Sequence, residues 1–274
     1  HDRPETGATA YTTVGNSLMK MQRALPRRLL GVWAHPDDEA YLSAGLMARV
    51  IESGGQVTVL TATRGEKGTD DPLLHGRSHF ASMREAELRA ALGELGVSDV
   101  RFMGFGDGEC DPLSEDAAAM IDGVIDDVDP DLIVTFGPDG VTNHGDHRAV
   151  SAWTTAAWLR RGGTGLLYAT MTSAFAAEHR ELHDRLGIFA DCPGGQPATV
   201  ADATVALRCS LTERELDRKR RSLGAHASQT EGLATAVGET AYRTWWRNET
   251  FRPPTEADAA RVTAGPQAPM GATR

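Results

Sequence analysis

The chain has 274 residues, 41% of them hydrophobic, with 28 Lys+Arg against 38 Asp+Glu and a formal charge of −10. That length supports one large core or two modest ones without disulfide staples, and the acidic balance disfavours duplex nucleic acid, whose phosphates demand clustered Lys and Arg. The three cysteines, Cys110, Cys192 and Cys209, lack paired spacing, which argues against a disulfide framework or a thiolate zinc cluster and fits a reducing, cytoplasmic setting.

No segment reaches the roughly 18 consecutive apolar residues of a membrane span, and the polar stretch 1–28 is read as neither signal peptide nor anchor. From Leu29 onward, apolar runs of strand length alternate with segments of helical period. This is the pattern of an α/β, Rossmann-like fold, a mainly parallel sheet with helices on both faces. A first buried strand is expected at 29–34 (LLGVWA), then a helix at 39–53 whose Leu42, Leu46 and Val50 form one apolar stripe, ended by Gly54-Gly55. Next come a strand at 56–62, a helix at 82–95 closed by Gly96, a short strand at 100–103, a helix at 114–128 with Ser114 as N-cap, and a strand at 132–136. A helix at 147–160 and a strand at 166–171 follow. Beyond Thr172 the period weakens into a C-terminal extension of the same domain: a helix near 174–186, a Pro/Gly break at 192–197, an extended stretch at 199–207 and a helix from Thr212, which forms a capping box with Glu215. On that helix Glu215, Arg218, Lys219 and Arg221 read as a solvated face. From Arg252 the composition turns to Pro, Ala and Gly, and little order is expected after about Thr255. The plan is therefore a polar segment at 1–28, one domain at 29–251 and a flexible tail at 252–274.

Two clusters carry chemistry. Ala34-His35-Pro36-Asp37-Asp38-Glu39-Ala40 lies between the first strand and the first helix, at the carboxyl end of the sheet where doubly wound folds place their sites. It presents an imidazole and two carboxylates on a turn stiffened by proline, which is metal-site chemistry. The alternative is an Asp N-cap favoured by the helix dipole, which leaves His35 and Pro36 unexplained. Asn143-His144-Gly145-Asp146-His147-Arg148 follows the fourth strand and falls on the same rim. A His, His and Asp set without thiolates, leaving a fourth position for water, is a catalytic rather than a structural zinc shell.

AHPDDE after the first strand, followed about a hundred residues on by HGDH, resembles the PIG-L/LmbE-like zinc-dependent de-N-acetylases. The resemblance runs over 29–251. Thr63-Arg64-Gly65-Glu66-Lys67-Gly68 is similar to that family's loop after the second strand, Arg84-Glu85-Ala86-Glu87-Leu88 to its RxxEL helix, and Ala225-His226-Ala227-Ser228-Gln229 to its C-terminal AHxSQ element. Carried over, it implies zinc, with ferrous iron as the alternative, held by His35, Asp38 and His147, and Asp37 as general base. His144 would stabilise the oxyanion and protonate the leaving amine, Asp146 would tune the charge of His144, and Arg84 would hold sugar hydroxyls. The implied substrate is a small amino-sugar conjugate of the N-acetylglucosamine type, with acetate and a free amine as products; a homo-oligomer stays open. One departure concerns the residue two before His144, which is Thr142 where members acting on the mycothiol precursor commonly carry an aromatic hydroxyl. The competing expectations are an amidase removing a larger acyl group and a sugar-binding pseudoenzyme. A dehydrogenase is disfavoured, because Gly104-Phe105-Gly106-Asp107-Gly108 lacks the full glycine fingerprint. His75, His79, His179 and His183 are read as isolated surface histidines, His226 as a helix-packing residue with pocket lining as the alternative. Trp245 and Trp246, with Tyr242 and Phe251, are expected to pack the last helix rather than stack a sugar.

Overall fold

The computed structural model describes residues 25–264, so the expected polar segment up to residue 24 and the end of the expected tail, 265–274, lie outside the described residues. In chain order the first units are β1 (Arg28–Trp33), α1 (Asp38–Glu52), β2 (Gln56–Thr63), α2 (Ser78–Leu95), β3 (Asp99–Phe105), α3 (Glu115–Val128), β4 (Leu132–Phe136), α4 (Gly145–Arg161) and β5 (Gly165–Ala169). Then come β6 (Met171–Thr172), α5 (Ser173–Glu178), α6 (Arg180–Leu186), β7 (Thr199–Val200), β8 (Leu207–Ser210), α7 (Glu213–Ala225), α8 (Ala227–Val237), α9 (Glu239–Trp245), β9 (Asn248–Arg252) and α10 (Glu256–Ala264). The main sheet has the order β3-β2-β1-β4-β5-β9-β8. Its first five strands are parallel, and β9 joins antiparallel to both β5 and β8. Leu29, Leu30, Leu132, Ile133 and Val134 are fully buried, as the unbroken apolar runs require of strands covered on both faces.

Strand order reverses between β1 and β4. Since parallel crossovers are right-handed, the reversal sends α1 and α2 to one face and α3 and α4 to the other. It also opens a crevice beyond the carboxyl ends of β1 and β4, the place where such folds bind ligands. The N-cap of α3 is Ser114, which accepts from Ala117 N–H, and the capping box of Thr212 and Glu215 is present. The expected single helix near 174–186 is two short helices that meet at His179.

Three expectations need correction. The face of α7 is solvated only in part: Lys219 is 2% exposed and donates from Nζ to Glu249 Oε1 at 2.8 Å and to Tyr41 O at 2.6 Å. Glu249 also accepts from the backbone N–H groups of Gly45 and Leu46. Glu215 and Arg218 are half-buried against Arg49 and Glu52 of α1, while Arg221 is exposed as expected and pairs with Glu94 at the surface. Removing one partner of a buried pair strands the other charge, so Lys219→Ala should cost about 3–5 kcal/mol and lower Tm by roughly 10 °C. Calorimetry would refute this assignment if Tm moved by no more than a degree.

The tail is ordered as far as it is described. Arg252 pairs with Asp258 at 2.6 Å, Thr255 and Asp258 cap each other, and α10 packs on α4, so side-chain bonding overrides a composition that suggested coil. His183 is likewise not a surface residue: it is 3% exposed, and its Nε2 accepts the indole N–H of Trp245 at 3.0 Å. Burial, and then the neighbouring His179, push its pKa down from 6.5 to about 4. The unfolded chain therefore takes up a proton that the folded chain refuses. This contribution is complete above the ordinary value and is lost as pH falls through the interval down to about 4, an effect of up to roughly 3 kcal/mol. Denaturant titrations at several pH values should show that slope in the native chain and a shallower one in His183→Gln; equal slopes would remove His183 as the cause.

Candidate active site

The turn after β1 explains the first cluster. Asp37 sits at the N-cap position of α1 with φ 120°, a conformation that non-glycine residues rarely hold, and its side chain makes no capping bond. Helix capping therefore does not explain Asp37. Its strained backbone is held instead by neighbours: its N–H donates to Glu39 Oε2 at 3.0 Å, and Glu39 Oε1 lies 2.8 Å from His226 Nε2, with Glu39 and His226 fully buried. Arg84 donates to Asp37 Oδ2 at 3.2 Å, to Pro36 O at 2.5 Å and to Gly65 O at 2.7 Å. A Cβ at Gly65 or Gly68 would collide with that guanidinium, which is why the loop after β2 needs glycine there. Burial raises the Asp37 carboxyl to about 6, against the pull of Arg84.

The second cluster opens α4. His144 is its N-cap, and Nδ1 accepts the N–H of Asp146 at 3.2 Å. The acceptor role of Nδ1 puts the proton of the neutral ring on Nε2, on an exposed residue. His147 is buried, stacked on Phe136 at 4.1 Å between ring centroids, with Nδ1 2.9 Å from Gly140 O. Donation to that carbonyl leaves Nε2 as a lone pair.

The two clusters meet as the reversal of strand order predicts. His35 Nδ1 lies 3.2 Å from His147 Nε2. Asp38 reaches both rings, with Oδ1 3.3 Å from His147 Nε2 and Oδ2 3.7 Å from His35 Nδ1. Ligand atoms bound to one tetrahedral zinc at about 2.0–2.1 Å stand roughly 3.4 Å apart, so these donors suit one cation. The other nitrogen of His35, Nε2, lies 3.1 Å from Asp146 Oδ2 and 3.2 Å from Asp107 Oδ1. Two carboxylates there hold the proton on Nε2 and turn the Nδ1 lone pair toward that of His147. Two imidazole nitrogens 3.2 Å apart beside a carboxylate need a shared cation, which is a proton in the free protein and which a metal ion can replace, and this is the structural reason that a metal fits. Without a metal, burial lowers the His35 pKa, but Asp107, Asp146 and Asp38 outweigh it and raise it to about 10, while burial and the charge of His35 push His147 down to about 3, so a metal held here would replace the proton on His35 Nδ1. Ligand atoms of His35, His144 and His147 also lie within 4.8 Å of one another, as do those of His35, Asp107 and Asp146.

Two expected roles change. Arg84 is 3% exposed with its terminal nitrogens bonded to the protein, so it braces Asp37 rather than reaching sugar hydroxyls. The carboxylate of Asp146 bonds His35, Gly108 N–H and Cys110 N–H; only its backbone meets His144, so it orients His35. Sequence reasoning missed Asp107, whose signal was a carboxylate between two glycines just past the end of β3. It also missed Glu39 as the partner of His226. Among the other histidines, His75 and His79 are exposed as expected. His226 is packed away from the cleft. Arg64 pairs with Glu85 at 3.1 Å. Tyr242, Trp245 and Phe251 are buried, and Trp245 and Trp246 both line a cleft of about 390 Å³ together with Asp37, Asp38 and His147.

Residues 30–158 match the PIG-L family, described as GlcNAc-PI de-N-acetylase. A 1D-myo-inositol 2-acetamido-2-deoxy-alpha-D-glucopyranoside deacetylase of Actinosynnema mirum is 34% identical over 254 residues, which cover 81% of this chain and 87% of that protein. One of the same name from Rhodococcus jostii is 33% identical over 243 residues, 74% of this chain and 82% of that one. Among solved structures, N,N'-diacetylchitobiose deacetylase from Pyrococcus horikoshii aligns with TM-score 0.61 at 16% identity, covering 95% of this chain and 96% of that one. The zinc-inhibited form of teicoplanin deacetylase Orf2 aligns with TM-score 0.59 at 18% identity, covering 82% and 97%. The structural matches speak for the fold alone. A third of the residues shared along four-fifths of the chain, with both histidine clusters inside the matched region, makes this protein a member of the PIG-L family.

Proposed function

We propose that the chain hydrolyses the N-acetyl group of an N-acetylglucosamine-type conjugate, releasing acetate and a free amine, with zinc, or alternatively ferrous iron, at the crevice. The observation that carries this reading is the convergence of the His35 and His147 lone pairs on Asp38, flanked by the Asp37 carboxylate and the His144 Nε2–H. His35, Asp38 and His147 would hold the ion, whose contribution is to acidify water and polarise the amide carbonyl. Asp37 takes the proton of the attacking water as the C–O bond forms. His144 donates from Nε2 to the developing oxyanion. The proton that Asp37 took then passes to the departing nitrogen as the C–N bond breaks, by way of His144, and the Asp37 carboxylate is regenerated. Arg84, Glu39 and His226 fix Asp37, and Asp107 and Asp146 fix His35. No described helix is long and apolar enough to cross a membrane, and Cys110, Cys192 and Cys209 are free thiols, which suits a reducing cytoplasm.

Acetate release from a panel of N-acetylglucosaminides, the inositol-linked one included, tests this with Asp37→Ala as control. Release that vanishes in the control supports the reading. No release from any member by protein holding one metal per chain would overturn it.

A further inference from the structure

The cleft that starts at Asp37, Asp38 and His147 has an unexpected lining for a site that receives only a sugar. Its lining is predominantly apolar, with Met171, Phe175, Ile188, Phe189, Leu233 and Trp246 interspersed with threonines and with Gln229 and Asn248. Phe175, Ile188, Leu233 and Trp246 are only half-buried, so they offer apolar surface to whatever enters. Trp246 is held rigid between Trp245 at 4.4 Å and Tyr41 at 4.8 Å between ring centroids. The lining also includes the exposed Glu178, Asp202 and Arg208.

From this lining we infer that the substrate carries, besides the amino sugar, an extended apolar group that occupies this wall. The inference rests on the proposed metal-dependent hydrolysis of an amino-sugar amide and adds a subsite that favours an apolar group over a polyol. An aromatic ring alone could stack on a sugar face, but Met171, Ile188 and Leu233 cannot bond hydroxyls. A polyhydroxylated aglycone pressed against them would give up water without replacement. An alkyl or aryl group loses nothing there and gains burial. That group could be the aglycone or the acyl chain of the amide; the chemistry is the same, and the two are separable by synthesis.

Metal-loaded full-length protein should be assayed, below micellar concentrations, on methyl N-acetylglucosaminide, its inositol-linked counterpart, octyl N-acetylglucosaminide and methyl N-octanoylglucosaminide. At least one octyl compound should exceed the methyl N-acetyl compound in kcat/KM by about tenfold or more. A preference for the octyl glycoside assigns the group to the aglycone, and a preference for the N-octanoyl compound assigns it to the acyl chain, which would then replace acetyl as the group removed. In Leu233→Asp the octyl-to-methyl ratio should fall toward one. Hydrolysis of all four at rates within twofold, or a preference for the inositol compound, overturns the inference and leaves the deacetylase reading intact. Hydrolysis of none overturns that reading instead. In that case calorimetric binding of octyl and methyl glucoside decides: tighter octyl binding by tenfold keeps the subsite, and equal binding removes it.

Discussion

Asp37→Asn should leave the fold and the metal content unchanged and lower kcat by about 10²–10⁴. Three observations set this expectation. The carboxylate is spared from capping, it sits in a conformation that costs on the order of 1–3 kcal/mol to hold, and it is braced by Arg84 on the side chain and Glu39 on the backbone. Asn tolerates positive φ as Asp does, so the substitution removes the base without relaxing the turn. The checks are circular dichroism, metal content and initial rates of acetate release. Retention of a tenth or more of kcat would move the base elsewhere, and a collapse of metal content would make Asp37 a ligand rather than a base.

His147→Ala should abolish both metal binding and activity, whereas His144→Ala should keep one metal per chain and lose about 10²–10³ in kcat. The pair of variants separates two ligand sets that geometry allows, since both imidazoles stand within reach of His35. His147 is buried with its tautomer fixed by Gly140, while His144 spends Nδ1 on Asp146 and faces outward. Metal analysis after dialysis decides. Stoichiometric metal in His147→Ala, or none in His144→Ala, would exchange their roles.

The five parallel strands, the first four helices, the capping residues and the ligand-type side chains were legible because each is signalled by neighbours a few residues away; β9, which carries Phe251 as a strand residue rather than a helix-packing one, was not. Apolar period, a Ser or Thr before a helix, and His-Pro-Asp-Asp in one turn are local patterns. The rim on which His35 and His147 meet was legible too, since βαβ handedness and the end of a strand place it. The helix at Glu256–Ala264 was not, because its order depends on Arg252 reaching Asp258 and on packing against α4.

The sequence by itself determined the α/β architecture, the crevice and the chemical types gathered there. Only the tertiary structure decided which partner each group has: Asp146 and Asp107 on His35 rather than on His144, Arg84 turned inward onto Asp37, His226 on Glu39 across 187 positions and Lys219 on Glu249 across 30. Charged and polar side chains look alike in a sequence whether solvated or buried. Their roles are set by desolvation and by hydrogen bonds a few ångströms long, and those exist only once distant loops and the C-terminal helices have packed against the first turn of α1.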